Sequence, residues 1–170
     1  FNPFGHILIG AGENARVGSH IYSKNFKIRM LVNNIGADIQ QESYFRIMAV
    51  SLLGEYGSGV DGLFAGVSAS DLFTNGSTYF VSSCVDKTKC QVHHDSLVKL
   101  VPQTATPILQ TLIELDVFKN KQINYLTSVS NYLNGRNHYI LVIPYMSTGV
   151  SGTTTVGSVQ LESCLDFTDA

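Results

Sequence analysis

Charge is scarce in this chain. Lys and Arg number 11 and Asp and Glu 13, together 14% of 170 residues, against a usual share of about 25%. A folded chain of this size exposes roughly 8,200 Å², or about 340 Å² for each charge. Much of its surface is therefore neutral or apolar, as in a subunit of something larger. The cations do not gather either: the densest stretch is Lys24, Lys27 and Arg29, and the net charge is −2. That excludes a compact basic nucleic-acid-binding domain with a high pI. Cysteine is limited to Cys84, Cys90 and Cys164, an odd number without framework spacing, which points to a reducing compartment. Tryptophan is absent, and with no suitable cysteine pair this disfavours an immunoglobulin sandwich. No window approaches 18 consecutive apolar residues, so no transmembrane helix is expected. Repeats, an interdomain linker and a signal-peptide pattern are missing too, and residues 1–170 read as a single domain.

Disorder is excluded by the 44% of hydrophobic residues, which is ample for a core. The dominant pattern has period two. From His20 to Val32, Tyr22, Lys24, Phe26, Ile28, Met30 and Val32 share one face, opposite Ser23, Asn25, Lys27 and Arg29. Ser43–Leu53 is apolar on both faces apart from Arg46 and two serines, which suits a strand covered on both sides. Val159, Leu161, Leu165 and Phe167 alternate with Ser158, Gln160, Glu162 and Asp166. His138–Met146 is another apolar run, whose Pro144 belongs at a sheet edge or a strand end. Further strands are expected at Thr78–Val85, Cys90–Val101, Ile108–Phe118 and Gln122–Thr127, and one short helix near Ser70–Phe73, capped by Ser70. Eight strands with little helix predict an all-β fold, an eight-stranded antiparallel jelly-roll sandwich with long loops. Its core should contain Phe26, Ile28, Phe45, Ile47, Leu141, Ile143, Leu161 and Leu165. Gly54–Ser77 is long for a loop in a compact domain, which marks it as functional or as an interaction surface.

The candidate chemistry is thin. Ile7–Gly12 looks like the start of a dinucleotide fingerprint, but the third glycine is missing and no helix is predicted to follow. Cys84, Cys90, His93, His94 and Asp95 are the densest set of metal-ligand types. The five-residue gap between the cysteines exceeds the spacing of a structural zinc site, and His93 and His94 should point to opposite faces of a strand. A hairpin turn around Asp86–Lys89 fits better, with no metal and no cofactor expected. A serine hydrolase lacks its nucleophile elbow, so the chain is read as no enzyme. Asn75-Gly-Ser77 matches a glycosylation sequon, although Asn-Gly is foremost a turn signal.

In order along the chain, several segments resemble a known family. Gly12-Glu-Asn-Ala-Arg16-Val17-Gly18-Ser-His-Ile21 is similar to a Gly-x-x-x-x-Arg-(Ile/Val)-Gly-x-x-Ile pattern in capsid proteins of small circular single-stranded DNA viruses. Val92-His-His-Asp95-Ser-Leu-Val98-Lys-Leu100 resembles their Val-x-x-Asp-x-x-Val-x-Leu strand, and Val159–Asp166 resembles their last strand. Coats of satellite RNA viruses share the architecture. The resemblance implies a virion protein that self-assembles into a sixty-copy icosahedral shell around a single-stranded genome. It also implies a Lys/Arg-rich N-terminal arm, which residues 1–170 do not contain. Arg16, Lys24, Lys27 and Arg29 are the expected residual genome contacts. Tyr56, Asp61, Phe64, Asn75, Ser147 and Thr154 lie in segments expected to form exposed surface or to meet a host receptor. A jelly-roll carbohydrate- or receptor-binding module, such as a trimeric lectin or a cytokine-like domain, is the alternative.

Overall fold

The computed structural model describes residues 2–4, 7–11, 15–33, 43–53, 72–74, 83–100, 110–128, 133, 137–146 and 157–169. Within them lie nine strands: β1 (Leu8–Ile9), β2 (Ala15–Arg16), β3 (His20–Asn33), β4 (Ser43–Leu52), β5 (Cys90–Leu100), β6 (Gln110–Asp116), β7 (Lys121–Asn124), β8 (His138–Met146) and β9 (Ser158–Asp169). The short pair β1–β2 is parallel. The rest form two antiparallel sheets. In the first, β3 is central. It pairs with β9 from Ile21 to Asn33, and along its other edge with β6 (Lys27–Asn33) and then β7 (His20–Ser23). In the second the order is β5-β4-β8. The molecule is an all-β sandwich.

Inward-facing side chains of both sheets share one core. Phe26, Ile28, Met30 and Val32 of β3 belong to the same cluster as Phe45, Ile47 and Ala49 of β4 and Ile140 of β8. The opposite face of β4 is covered as well. Met48, Val50 and Leu52 cluster with Tyr139, Leu141 and Ile143 of β8, and with Leu72 and Phe73 from the chain between β4 and β5. This explains why β4 carries no polar face, as its sequence led one to expect. Pro144 falls near the end of β8, which pairs only with β4 among the described residues. Its missing N–H therefore interrupts no ladder.

The period-two reading of β3 holds from Phe26 onward and fails before it. Ser23 pairs with Phe167 and Asn25 with Asp166, so Lys24 is an extra residue in a β-bulge. A bulge changes which residues face the core. Ile21 and Ser23 are buried, while Tyr22 and Lys24 are exposed. Opposite this point the other flank also breaks. Between β6 and β7 the chain leaves β3 at Val117–Asn120, and Phe118 and Asn120 adopt left-handed φ values of 56° and 52°. Ser23 Oγ donates to the Phe118 carbonyl across the break, at 3.0 Å.

Of the eight expected core residues, Phe26, Ile28, Phe45, Ile47, Leu141 and Ile143 are buried, and Leu165 packs against the core from partial cover. Leu161 corrects the expectation at 37% exposed, and Val159, on the same face of the strand, is 38% exposed. Among the described residues β9 pairs only with β3, and core packing reaches its inner side only toward the C-terminal end, at Leu165 and Phe167. No α-helix occurs among the described residues; where the short helix near Ser70–Phe73 can be checked, Leu72 and Thr74 lie in a 3₁₀ turn, and Phe73 within it bridges to Val85. Ser70 and most of the expected strand Thr78–Val85 lie outside the described residues. The turn at Asp86–Lys89 is present; before it Val85 bridges to Phe73, and after it Cys90 opens β5.

Candidate functional site

Arg16 is the first correction to the set of genome-contacting cations. Its side chain is fully enclosed. The guanidinium lies 3.7 Å from the centroid of the Tyr125 ring and donates to the carbonyls of Gly18 and, at 3.2 Å, Ser128. The Tyr125 hydroxyl in turn donates to the Phe4 carbonyl at 2.9 Å. Burial drives that hydroxyl well above the ordinary tyrosine range, with Arg16 pulling weakly the other way. Arg16 therefore ties the N-terminal stretch and β2 to the chain after β7 and offers no cation to a partner.

Lys24, Lys27 and Arg29 are exposed on the outer face of β3. The register sets them among carboxylates. Arg29 stands between Glu114 and Glu162, Lys27 between Asp116 and Cys164, and Asn25 beside Asp166. Arg29 Nε donates to Glu114 at 2.9 Å, with both side chains more than half exposed. Such a surface pair contributes about 0–1 kcal/mol. Asp116 is bridged by Lys119 as well. Four cations, Lys119 included, thus stand among four carboxylates, and the local charge is balanced.

On the outer face of the second sheet Arg46 is buried, while Asp95 is exposed with a third of its side chain open to solvent. Arg46 Nε and Nη2 reach the two Asp95 oxygens at 2.8 and 2.6 Å, and Nη1 donates to the Ser83 carbonyl at 2.7 Å. The guanidinium also lies 5.2 Å from the Phe73 ring centroid. This fork fastens the segments carrying Phe73 and Ser83 over β4 and β5. The nearby turn is closed by Asp86, whose carboxylate accepts from the Thr88 N–H at 3.0 Å and its hydroxyl at 2.6 Å. Those bonds hold its carboxyl below the usual range. Cys84 and Cys164 are exposed thiols and Cys90 is a buried one.

The inner face of the second sheet carries an arrangement that sequence spacing did not reveal. Ala49 pairs with His94 but Val50 with Val92, so His93 is the extra residue of a second bulge. In a bulge two consecutive residues can face the same way. That corrects the expectation of opposite faces. His94 lies opposite Ala49 of the core, and His93 packs on the core ring of Phe118 with centroids 5.0 Å apart. His93 Nε2 is 2.6 Å from Ser51 Oγ, and His138 Nδ1, from the residue paired with Ser51 on β8, is 2.6 Å from the same oxygen. Only the register of three strands brings these residues together. Among the described residues no group of three or more His, Cys, Asp and Glu could hold a metal ion.

Gly10 N donates to the Arg16 carbonyl at 3.1 Å, and Ala15–Arg16 is a strand. The fingerprint-like Gly10-Ala-Gly12 therefore precedes no helix and lacks the N-terminus that would face a pyrophosphate. The surface candidates Tyr56, Asp61, Phe64, Asn75, Ser147 and Thr154 lie outside the described residues. No protein-family model and no curated protein matches the chain.

Proposed function

We propose that the chain is a jelly-roll capsid subunit that self-assembles into a small icosahedral shell around a single-stranded genome. The observation that carries the reading is the nesting of the long strands. The first of them, β3, pairs with the last, β9, and the second, β4, pairs with the penultimate, β8. A long hairpin rolled into two sheets has this closure, and viral coats are a main user of it. The charge deficit supports the same reading, since low-charge faces suit burial between copies. The resemblance of the Gly12–Ile21 and Val92–Leu100 segments to coats of small circular single-stranded DNA viruses points the same way. Asp95 of the second segment has a structural task here, in the fork with Arg46.

The balanced face around Lys27 and Arg29 makes genome capture the work of a basic arm beyond residues 1–170. Size tests the reading. Light scattering and electron microscopy of purified protein should find closed particles in the megadalton range. A stable trimer would instead favour the carbohydrate- or receptor-binding module, and a monomer at high concentration would overturn the shell.

A further inference from the structure

β9 is a long strand without the usual guards of an edge. Over twelve residues, Ser158–Asp169, it contains no Lys, Arg, Pro or Gly. Among the described residues its ladder runs to β3 alone, and the bulge in that ladder belongs to β3. Proteins blunt an exposed edge with shortness, bulges, Lys, Pro or an inward-pointing charge. Here Glu162 and Asp166 lie on the outer face, beside Arg29 and Asn25 of β3. Over residues 159–167 the inner side carries Val159, Leu161, Ser163, Leu165 and Phe167, none of them charged. Cover on that side stops abruptly. Val32 and Met30 of β3 are fully buried, whereas Val159 and Leu161, their partners in β9, are more than a third exposed. Ser163, beside buried Ile28, is exposed as well.

We propose that a second copy of this chain covers that edge, its β9 pairing antiparallel with the first about a two-fold axis at Ser163. The strand's own sequence sets the register. A pair that extends the sheet without inverting one copy must set odd residues against odd and even against even. Two such registers engage all but one residue of the strand, and the others engage fewer. The first, centred on Cys164, puts Glu162 against the partner's Asp166 at both symmetric places, which is repulsive. The second is centred on Ser163. It sets Leu161 against the partner's Leu165 and Val159 against the partner's Phe167, so each exposed apolar residue gains an apolar neighbour. Glu162 then meets the partner's Cys164, and Asp166 the partner's Gln160. No like charges stand directly opposite. Across the joined sheet the outer row reads Glu114, Arg29, Glu162, then the partner's Cys164, the partner's Lys27 and the partner's Asp116. Signs alternate on either side of the thiol. A two-fold contact of this kind is self-complementary, so it needs no other chain. The pairing stands apart from the shell, because it serves equally as a two-fold contact within one or as a free dimer.

The test is cysteine cross-linking in a C84S/C164S background, which removes both exposed thiols. With S163C added, oxidation by copper-phenanthroline should convert most of the chain to a disulfide-linked dimer, since directly opposed residues of an antiparallel pair lie within disulfide range. C84S protein, which keeps Cys164, should cross-link at least tenfold more slowly. Adding Leu161→Asp to the S163C protein, which sets a carboxylate against the partner's Leu165, should slow its cross-linking at least tenfold. Absence of S163C dimers, or faster cross-linking through Cys164, overturns the proposal. The parent offers a check that needs no substitution. In concentrated protein, consecutive amides across residues 159–165 should all resist hydrogen exchange, half bonded to β3 and half to the partner. Protection of alternate amides only overturns the pairing. Closed particles without S163C dimers would keep the shell and remove this contact, and S163C dimers without particles would do the reverse.

Discussion

Two side chains in the second sheet carry predictions of their own. Asp95 holds a bidentate grip on Arg46, which is nearly out of contact with water. Removing one partner of a fully buried ion pair costs roughly 3–5 kcal/mol. Asp95 keeps a third of its side chain exposed, so Asp95→Asn should fall at or below the lower end of that range, read as a shift of the urea midpoint. Arg46→Met with Asp95→Asn, which leaves no charge uncompensated, should recover part of the loss. Cys90 acts through pH. Burial pushes its thiol from an ordinary 9.0 up to about 11. The folded protein keeps that proton while the unfolded chain releases it, so stability falls as pH rises from about 9 to about 11. Burial raises the Tyr139 hydroxyl too, which adds to the alkaline loss. Cys90→Ala should make the decline shallower in urea titrations at stepped pH. Parallel declines for parent and variant would show that the thiol contributes nothing.

At the scale of the strand, the junction of β3 and β9 depends on the absence of one atom. A Cβ on Gly157 would meet the Asn33 carbonyl oxygen at 2.3 Å and the Phe45 ring at 2.9 Å. The first neighbour is backbone and the second a packed ring from the facing sheet, so neither yields cheaply. Gly157→Ala should cost roughly 1–3 kcal/mol, as other overpacking changes do, and a melting temperature equal to the parent's would refute this. The bulge at Lys24 makes a second, contrasting pair. Lys24→Ala changes an exposed side chain and should leave stability almost unchanged. Deleting Lys24 shifts the parity of the strand before it and exchanges buried Ile21 and Ser23 with exposed Tyr22. Folding should then be lost or severely weakened, and a deletion as stable as K24A would mean that the bulge sets no register.

For the whole molecule the decisive quantity is the balance of charge. With a net charge of −2 and its outer cations set among Glu114, Asp116, Glu162 and Asp166, the protein has few cations to spare for phosphates. Residues 1–170 should bind single-stranded nucleic acid weakly. The log–log dependence on salt should be shallow, since each neutralised phosphate contributes about 0.7 to the slope. Addition of a basic N-terminal arm should steepen it by several phosphates' worth and, if the chain assembles as proposed, raise the nucleic-acid content of the purified shells. If chains with and without such an arm packaged equal amounts, measured as the absorbance ratio at 260 and 280 nm, a genome site would have to exist on residues 1–170.

The sequence by itself determined the long described strands and the all-β class, because burial on one side of a pleated strand forces alternation and burial on both sides removes it. That is why β4 and most of β3, β8 and the described β6 were legible, and why six of the eight expected core residues are buried. Alternation says which residues share a face, not whether anything covers that face. Leu161 and Leu165 alternate alike, yet only Leu165 meets the core. Bulges are invisible to a period-two reading because each inserts one residue with no distinctive composition. Lys24 and His93 were misassigned for that reason. Pairing across strands was equally hidden. Only the tertiary register sets Ser51 between histidines 42 and 87 residues away, turns Arg16 inward onto Tyr125, and surrounds Lys27 and Arg29 with carboxylates from β6 and β9. Such contacts are made between strands, and a period read along one strand holds no information about its neighbours.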